Sequence, residues 1–246
     1  MPKSIAINVA ANTNLPGFRG PIYPDGRFVY LPIPERESTT QSVLTYADLL
    51  DSLDPLPFAV GDDIRQLPVH LDPEFAGYPG CSQYTYGDEH GVKAGPLSKL
   101  QPGDSLYFYA TLSRHEPPPE LDTGPEVDWV APDWGVYLIG EFRVDRVFDA
   151  EACEKLSEVD RQRLASNAHC KRDPFDAKVL VVGGPDSQLL DRAVPLSTAE
   201  RGSTANWLVT DLSNDSGKGP WWRRRLWFDD ESTGTLRAIV DGTRSL

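Results

Sequence analysis

Ser105-Leu-Tyr-Phe-Tyr-Ala-Thr-Leu112 and Gly135-Val-Tyr-Leu-Ile-Gly-Glu-Phe-Arg-Val-Asp-Arg-Val-Phe148 decide the fold of this chain. Both are dominated by aromatic and β-branched residues, which suit a pleated, packed surface better than a helix. The turn Pro102-Gly103-Asp104 leads into the first, and an acidic, proline-rich insertion at 116–133 separates the two. Gly140, inside the second, marks a bulge. The two strands are expected to pair.

Working outward, residues 4–10 read Ser-Ile-Ala-Ile-Asn-Val-Ala, a core strand, followed by a loop with Asn12, Asn14, Pro16, Gly17 and Gly20. Pro24-Asp25-Gly26 predicts a turn closing a hairpin with residues 27–33. Thr45 is a candidate N-cap for a helix through Leu53. Residues 54–102 are rich in Pro and Gly with little regular pattern, a functional-loop candidate by length. Cys153, Leu156, Val159 and Leu164 fall on one face of a helix predicted over 151–168. Residues 178–182 form a further strand. Ser197-Thr-Ala-Glu200 is a capping-box sequence for a short helix, and 224–228 and 235–240 are late strands or short pieces. The expected class is α+β: a single domain, 1–246, with a mixed, mostly antiparallel sheet or a partly closed barrel and a few helices packed around it.

Bulk composition narrows the function. The formal net charge is −13, and the 24 basic residues are mostly arginine. An acidic, lysine-poor surface fits a halophilic protein that must stay dissolved in concentrated salt. It argues against a broad electrostatic grip on duplex nucleic acid, so any such function needs a local basic patch, stacking, or a single nucleotide as ligand. The 3 cysteines form no Cys-x-x-Cys pair and read as reduced, partly buried thiols. No apolar run approaches the roughly 18 residues of a membrane span, and the start of the chain lacks a signal-peptide pattern, so a cytoplasmic location is expected.

Three motifs occur in order. Gly20-Pro-Ile-Tyr-Pro-Asp-Gly26, closed by Leu31-Pro-Ile-Pro34, comes first; Val69-His-Leu-Asp-Pro-Glu74 follows. Lys93-Ala-Gly-Pro-Leu97 then leads into Gly103-Asp-Ser-Leu-Tyr-Phe-Tyr109 and Trp134-Gly-Val-Tyr-Leu-Ile-Gly-Glu141. Together they resemble the nucleotide modification associated domain 3 family over roughly residues 1–150. Asn8-Val9-Ala10 departs from that family's Arg-Lys-containing first strand, Glu74 replaces its usual Asp, and the C-terminal hundred residues match loosely. The resemblance implies an association with nucleic-acid base modification and names no reaction. A fainter similarity links the two aromatic strands to the small RNA- or modified-base-binding barrels of the pseudouridine-synthase-associated and EVE type; fold alone does not fix function.

Several side chains could carry chemistry. His70 and Asp72 are two apart, so in an extended segment they share one face. They suit a general acid/base pair, or two ligands of a metal that would need a third not evident in the sequence; equally, Asp72 before Pro73 is a turn former and His70 a structural histidine. No metal-ligand set is assigned. Asp25 is either a second catalytic carboxylate or simply part of its turn. Arg19, flanked by Gly17 and Gly20, can hold a phosphate, and Asn8 can read a base edge. His169 and Lys171, with Arg172, form one basic cluster, which a helix C-terminus alone would also favour. Trp221-Trp-Arg-Arg-Arg-Leu-Trp227 is the other; Trp222 and Arg224 can stack on bases and neutralise phosphates, or belong to an ordinary edge strand.

Phosphate-loop, nucleophile-elbow and zinc-deaminase signatures are absent, and no cofactor is implied. The leading expectation is a pocket for a nucleotide or extruded base lined by Asn8, Arg19, Asp25, His70 and Asp72. The alternatives are a non-catalytic reader with a barrel and Trp221, Trp222 and Arg224 as contacts, and a scaffold with no ligand.

Overall fold

The computed structural model describes residues 3–39 and 43–245. Its strands are β1 (Ser4–Asn8), β2 (Pro21–Ile22), β3 (Ile33–Pro34), β4 (Val69–His70) and β5 (Thr85–Asp88), then β6 (Ser105–Arg114), β7 (Trp134–Phe148), β8 (Val179–Gly183), β9 (Gln188–Pro195) and β10 (Leu226–Phe228). Eight share one sheet in the order β10-β1-β6-β7-β8-β5, with β2 added to β6 and β9 to β7; β3 and β4 pair separately. β1 and β2 run parallel to β6, and the other pairings are antiparallel. The α+β, mostly antiparallel expectation therefore holds in its open form; the sheet does not close into a barrel.

β6 and β7 pair antiparallel from Ser105 opposite Arg143 to Ser113 opposite Trp134. The register shifts between Phe108, opposite Gly140, and Tyr109, opposite Leu138, leaving Ile139 as the extra residue of a bulge. Gly140 is needed there, because a Cβ would stand 2.4 Å from the Phe75 ring. The lack of apolar/polar alternation in both strands has a simple cause: the sheet is covered on both faces. Leu106, Phe108 and Leu112 join Ile5, Ile7, Phe75 and Phe142 in one core, whereas Tyr107 and Tyr109 join Ala6, Trp221, Leu226 and Leu236 in the other. Phe75, Phe108 and Phe142 meet edge to face at 4.6–5.5 Å between ring centres, a favoured aromatic geometry.

Helices are short: α1 (Tyr46–Leu50), α2 (Asp62–Arg65), α3 (Gly91–Leu97), α4 (Ala150–Glu154), α5 (Glu158–Arg163), α6 (Trp207–Thr210) and α7 (Asp230–Val240). Thr45 caps α1 through a reciprocal pair with Asp48. Elsewhere the local expectations need correction. The helix expected over 151–168 is split, because the Ser157 side chain accepts from the Asp160 N–H and starts α5 afresh, and the chain then continues into a 3-10 turn at His169–Lys171. Ser197 opens no helix; its Oγ accepts instead from the Val136 N–H. Residues 235–240 belong to α7, capped by Asp229. The turn at Pro24-Asp25-Gly26 forms, but beyond the single bridge Ile22–Phe28 the hairpin does not continue, and β2 pairs with β6. Residues 54–102 hold α2, β4, β5 and α3 rather than an unstructured loop, and β9 was not anticipated. Trp221–Arg223 is a 3-10 turn, and the late strand expected over 224–228 is confined to β10. Among the described residues, no helix is long and apolar enough to cross a membrane.

Candidate functional site

β4 sets the site. His70 pairs with Ile33 of β3, and Asp72 follows at the strand end, its N–H donating to the His70 carbonyl at 2.9 Å. The 3-10 turn after α5 brings His169 against both. Asp72 Oδ2 lies 4.0 Å from His70 Nε2 and 3.7 Å from His169 Nε2, and the two imidazoles meet nearly perpendicular with centres 5.0 Å apart. All three residues are buried.

Each imidazole is held from behind by a carboxylate. Glu35 Oε2 is 2.6 Å from His70 Nδ1, and Asp176 Oδ1 is 2.8 Å from His169 Nδ1. A carboxylate only accepts, so both Nδ1 atoms carry a proton and both Nε2 atoms face Asp72. Arg172 ties the outer groups together, donating to Glu35 at 3.0 Å, Glu89 at 2.6 Å and Asp176 at 2.7 Å. Asp72 is steadied in turn. The Gly87 N–H donates to Oδ1 at 2.9 Å and to Oδ2 at 3.2 Å, and Asn167 Nδ2 donates to Oδ1 at 3.1 Å. Gly87 has no substitute at this point: a Cβ would sit 2.6 Å from the His169 ring.

The electrostatics follow from these contacts. Burial pushes the Asp72 carboxyl up to about 7, against the opposing pull of His169 and its hydrogen-bond donors. Burial, with His169 and Arg172 beside it, lowers His70 against the opposing pull of Glu35. For His169 the balance reverses, since Asp176 and Asp72 outweigh desolvation and raise it. Glu35, despite burial, is held down to about 2 by His70 and Arg172. Glu89 is raised, chiefly by its contact with Asp176.

The cluster opens into a cavity of about 240 Å³ that also receives Asn8, Asn12, Tyr86, Asp88, Glu89 and Lys93. Two further cavities adjoin it. One, of about 820 Å³, is lined by Lys93, Lys178, Arg223, Arg224, Arg225 and Trp227; the other, of about 310 Å³, by Asn12, Arg19, Thr111, Trp222 and Arg223. Asn8, at the carboxyl end of β1, lines all three. Beyond it Ala10 turns the chain with a left-handed φ of 75°, unusual for a residue with a Cβ. Among the described residues, no ion pair is found for Arg19, Arg223 or Lys178; Arg19 and Arg223 line the smaller adjoining cavity, and Arg223 and Lys178 the larger, which Glu89 and Asp215 line as well.

The sequence pattern of the nucleotide modification associated domain 3 family matches residues 3–241 of this chain. The chain belongs to that family. No curated protein and no solved structure matches it. The match runs well past the region expected from the motifs, so the C-terminal third, with His169 and Arg172 as well as the Trp221–Arg223 turn, is part of the nucleotide modification associated domain 3 unit.

Within that domain the structure brings His70, Asp72, His169 and Asn8 to one cavity. Arg19 and Trp222 border the neighbouring one, Arg19 resting on Trp134 at 4.7 Å and Trp222 meeting the same ring at 5.9 Å. Arg224 lines the third cavity and pairs with Asp215 at 3.0 Å. Asp25 is not brought to the site: its carboxylate is fully buried and taken up by Arg27 and the Gly124 N–H. Lys171 faces a separate cavity beside Leu44 and Gly80. Trp221 is a core residue, its Nε1 donating to the Ser203 carbonyl, so it offers no surface to a ligand. Glu35, Asp176 and Asn167 are site residues beyond those the sequence points to, and Arg172, expected in a basic cluster or as a helix-end cation, instead joins three carboxylates. The one available signal was the clustering of Asn167, His169 and Arg172 after α5.

Proposed function

We propose that the chain binds a nucleotide or an extruded base in the cleft around Asn8, with the His70, Asp72 and His169 cluster as its reaction centre. Arg19 and Arg223 hold phosphate, and Trp222 supplies the stacking surface. The observation that carries this reading is the sharing of Asn8 by all three cavities, which joins unneutralised cations and an aromatic ring to a buried histidine and carboxylate cluster. Family membership, which relates the chain to nucleotide modification, points the same way. With a net charge of −13 the affinity has to come from this local patch and from stacking, not from the field of the whole molecule.

Fluorescence anisotropy with short single-stranded DNA and RNA oligonucleotides tests it. Stacking is worth about 1–3 kcal/mol per base, so Trp222→Ala is expected to weaken binding roughly 5- to 150-fold. Arg223→Ala is expected to weaken it and to flatten its salt dependence by about 0.7 in slope, the loss of one phosphate contact to a single strand. Undiminished affinity in both variants would remove the cleft from the account.

A further inference from the structure

We propose that His70 Nε2, His169 Nε2 and Asp72 Oδ2 bind one divalent first-row transition-metal ion. The inference is independent of the nucleotide reading and rests on the geometry of the cluster itself.

The donor set is chemically complete for such an ion. Two imidazole nitrogens and one carboxylate oxygen, with the remaining positions open, form the ligand triad of non-haem Fe(II) and resemble the three-ligand arrangement of catalytic zinc. The three donor atoms lie within 4.8 Å of one another, with 3.7 and 4.0 Å to the carboxylate. Two ligands at about 2.1 Å from one tetrahedral ion stand roughly 3.4 Å apart. The two contacts to the carboxylate are about 0.3 and 0.6 Å longer than that, and the third pair lies within 4.8 Å, so the side chains close on the ion by shifts of that order.

The support behind the ligands is the stronger argument. An imidazole that binds a metal through Nε2 donates its Nδ1–H to a carboxylate, backbone carbonyl or water, which fixes the tautomer and aims the lone pair. Both histidines here have a carboxylate in that position, Glu35 at 2.6 Å and Asp176 at 2.8 Å. Asp72 is arranged in the same sense: Oδ1 takes Asn167 and the shorter Gly87 contact, while Oδ2 faces the two Nε2 atoms. A histidine kept only for structure has no need for its second nitrogen to converge with another on a buried carboxylate.

The charge balance agrees. Glu35, Asp176, Glu89 and Asp88 stand around the two imidazoles and Asp72, with Arg172 and Lys93 paired to them. Such an acidic surround favours a divalent cation. The adjoining cavity of about 240 Å³ leaves room for water or substrate at the open positions.

The test is metal stoichiometry with no nucleotide present. Full-length protein is stripped with chelator, reloaded with Zn²⁺ or, under anaerobic conditions, Fe²⁺, desalted and assayed by elemental analysis, and Co²⁺ is titrated in parallel for its visible absorption band. One equivalent per chain is expected for the wild type, with a Co²⁺ spectrum showing nitrogen ligation. Asp72→Asn and His169→Ala, checked for retained fold by circular dichroism, are expected to lose the bound ion. Asp176→Asn, which keeps all three ligands, is expected to bind 10- to 100-fold more weakly. Less than a tenth of an equivalent in every wild-type arm, or equal loading in folded Asp72→Asn and His169→Ala, overturns the proposal. Because oligonucleotide affinity is read separately through Trp222→Ala, a failure here is distinguishable from a failure of the cleft.

Discussion

Arg172→Ala is expected to lower the unfolding free energy by about 3–5 kcal/mol. Its guanidinium, only 9% exposed, is shared by Glu35, Glu89 and Asp176. Of these, Glu35 is almost fully enclosed at 2%. Removing the cation leaves Glu35 enclosed with His70 as its remaining ion-pair partner, whereas Glu89 and Asp176, at 33% and 25%, keep access to solvent; the penalty is chiefly that of uncompensated buried charge at Glu35. Arg172→Lys should recover only part of the loss, because an ammonium cannot fork between Glu35 on one side and Glu89 with Asp176 on the other. Urea unfolding midpoints for the two variants check this. A change of under about 0.5 kcal/mol in Arg172→Ala would place it with ordinary surface substitutions and contradict the role given to it.

The second large effect concerns chemistry. His70→Ala is expected to reduce formation of a modified nucleoside by about 10²–10⁴-fold, the range associated with losing a positioned proton-transfer group, and a comparable loss follows if the ring serves as a metal ligand. Oligonucleotide affinity should change no more than a few-fold, since Trp222, Arg19 and Arg223 lie in the adjoining cavity and do not touch this ring. Nucleoside mass spectrometry of treated substrate, run beside the anisotropy titration, separates the two properties. If no product forms even with wild type while Trp222→Ala still weakens binding, the protein is a reader and not an enzyme.

Much of the sheet was legible because its strands bury both faces. A run such as Ser-Leu-Tyr-Phe-Tyr-Ala-Thr-Leu has no competing helical period, and the bulge beside Gly140 follows from a glycine inside a strand. β9 escaped notice because Asp191 and Arg192 are exposed in its middle and break the apolar pattern. α7 was obscured by weak helix formers, Ser232, Thr233, Gly234 and Thr235, although Asp229 and Ser232 supplied a cap. The long helix expected over 151–168 failed for the opposite reason: the amphipathic period was allowed to run through Ser157, whose spacing to Asp160 was itself a start signal.

The site divides along the same line. The His-x-Asp pair was visible because two residues apart on a strand is a local relation. That His169 completes the cluster, and that Glu35 and Asp176 stand behind the two rings, are relations between distant segments that no local pattern records. Asp25 shows the converse. Pro-Asp-Gly is a turn signal first, and its carboxylate serves that turn by binding Arg27 and Gly124.

Hydrogen–deuterium exchange on the wild-type chain, with and without a saturating single-stranded oligonucleotide, tests the central claim most directly. The account predicts new protection in three separated segments that meet only in space, residues 9–13, 87–93 and 221–227, with none around Lys171 and Gly80. Protection confined to the Lys171 cavity, or no change at all under saturating ligand, would contradict a nucleotide-binding cleft centred on Asn8.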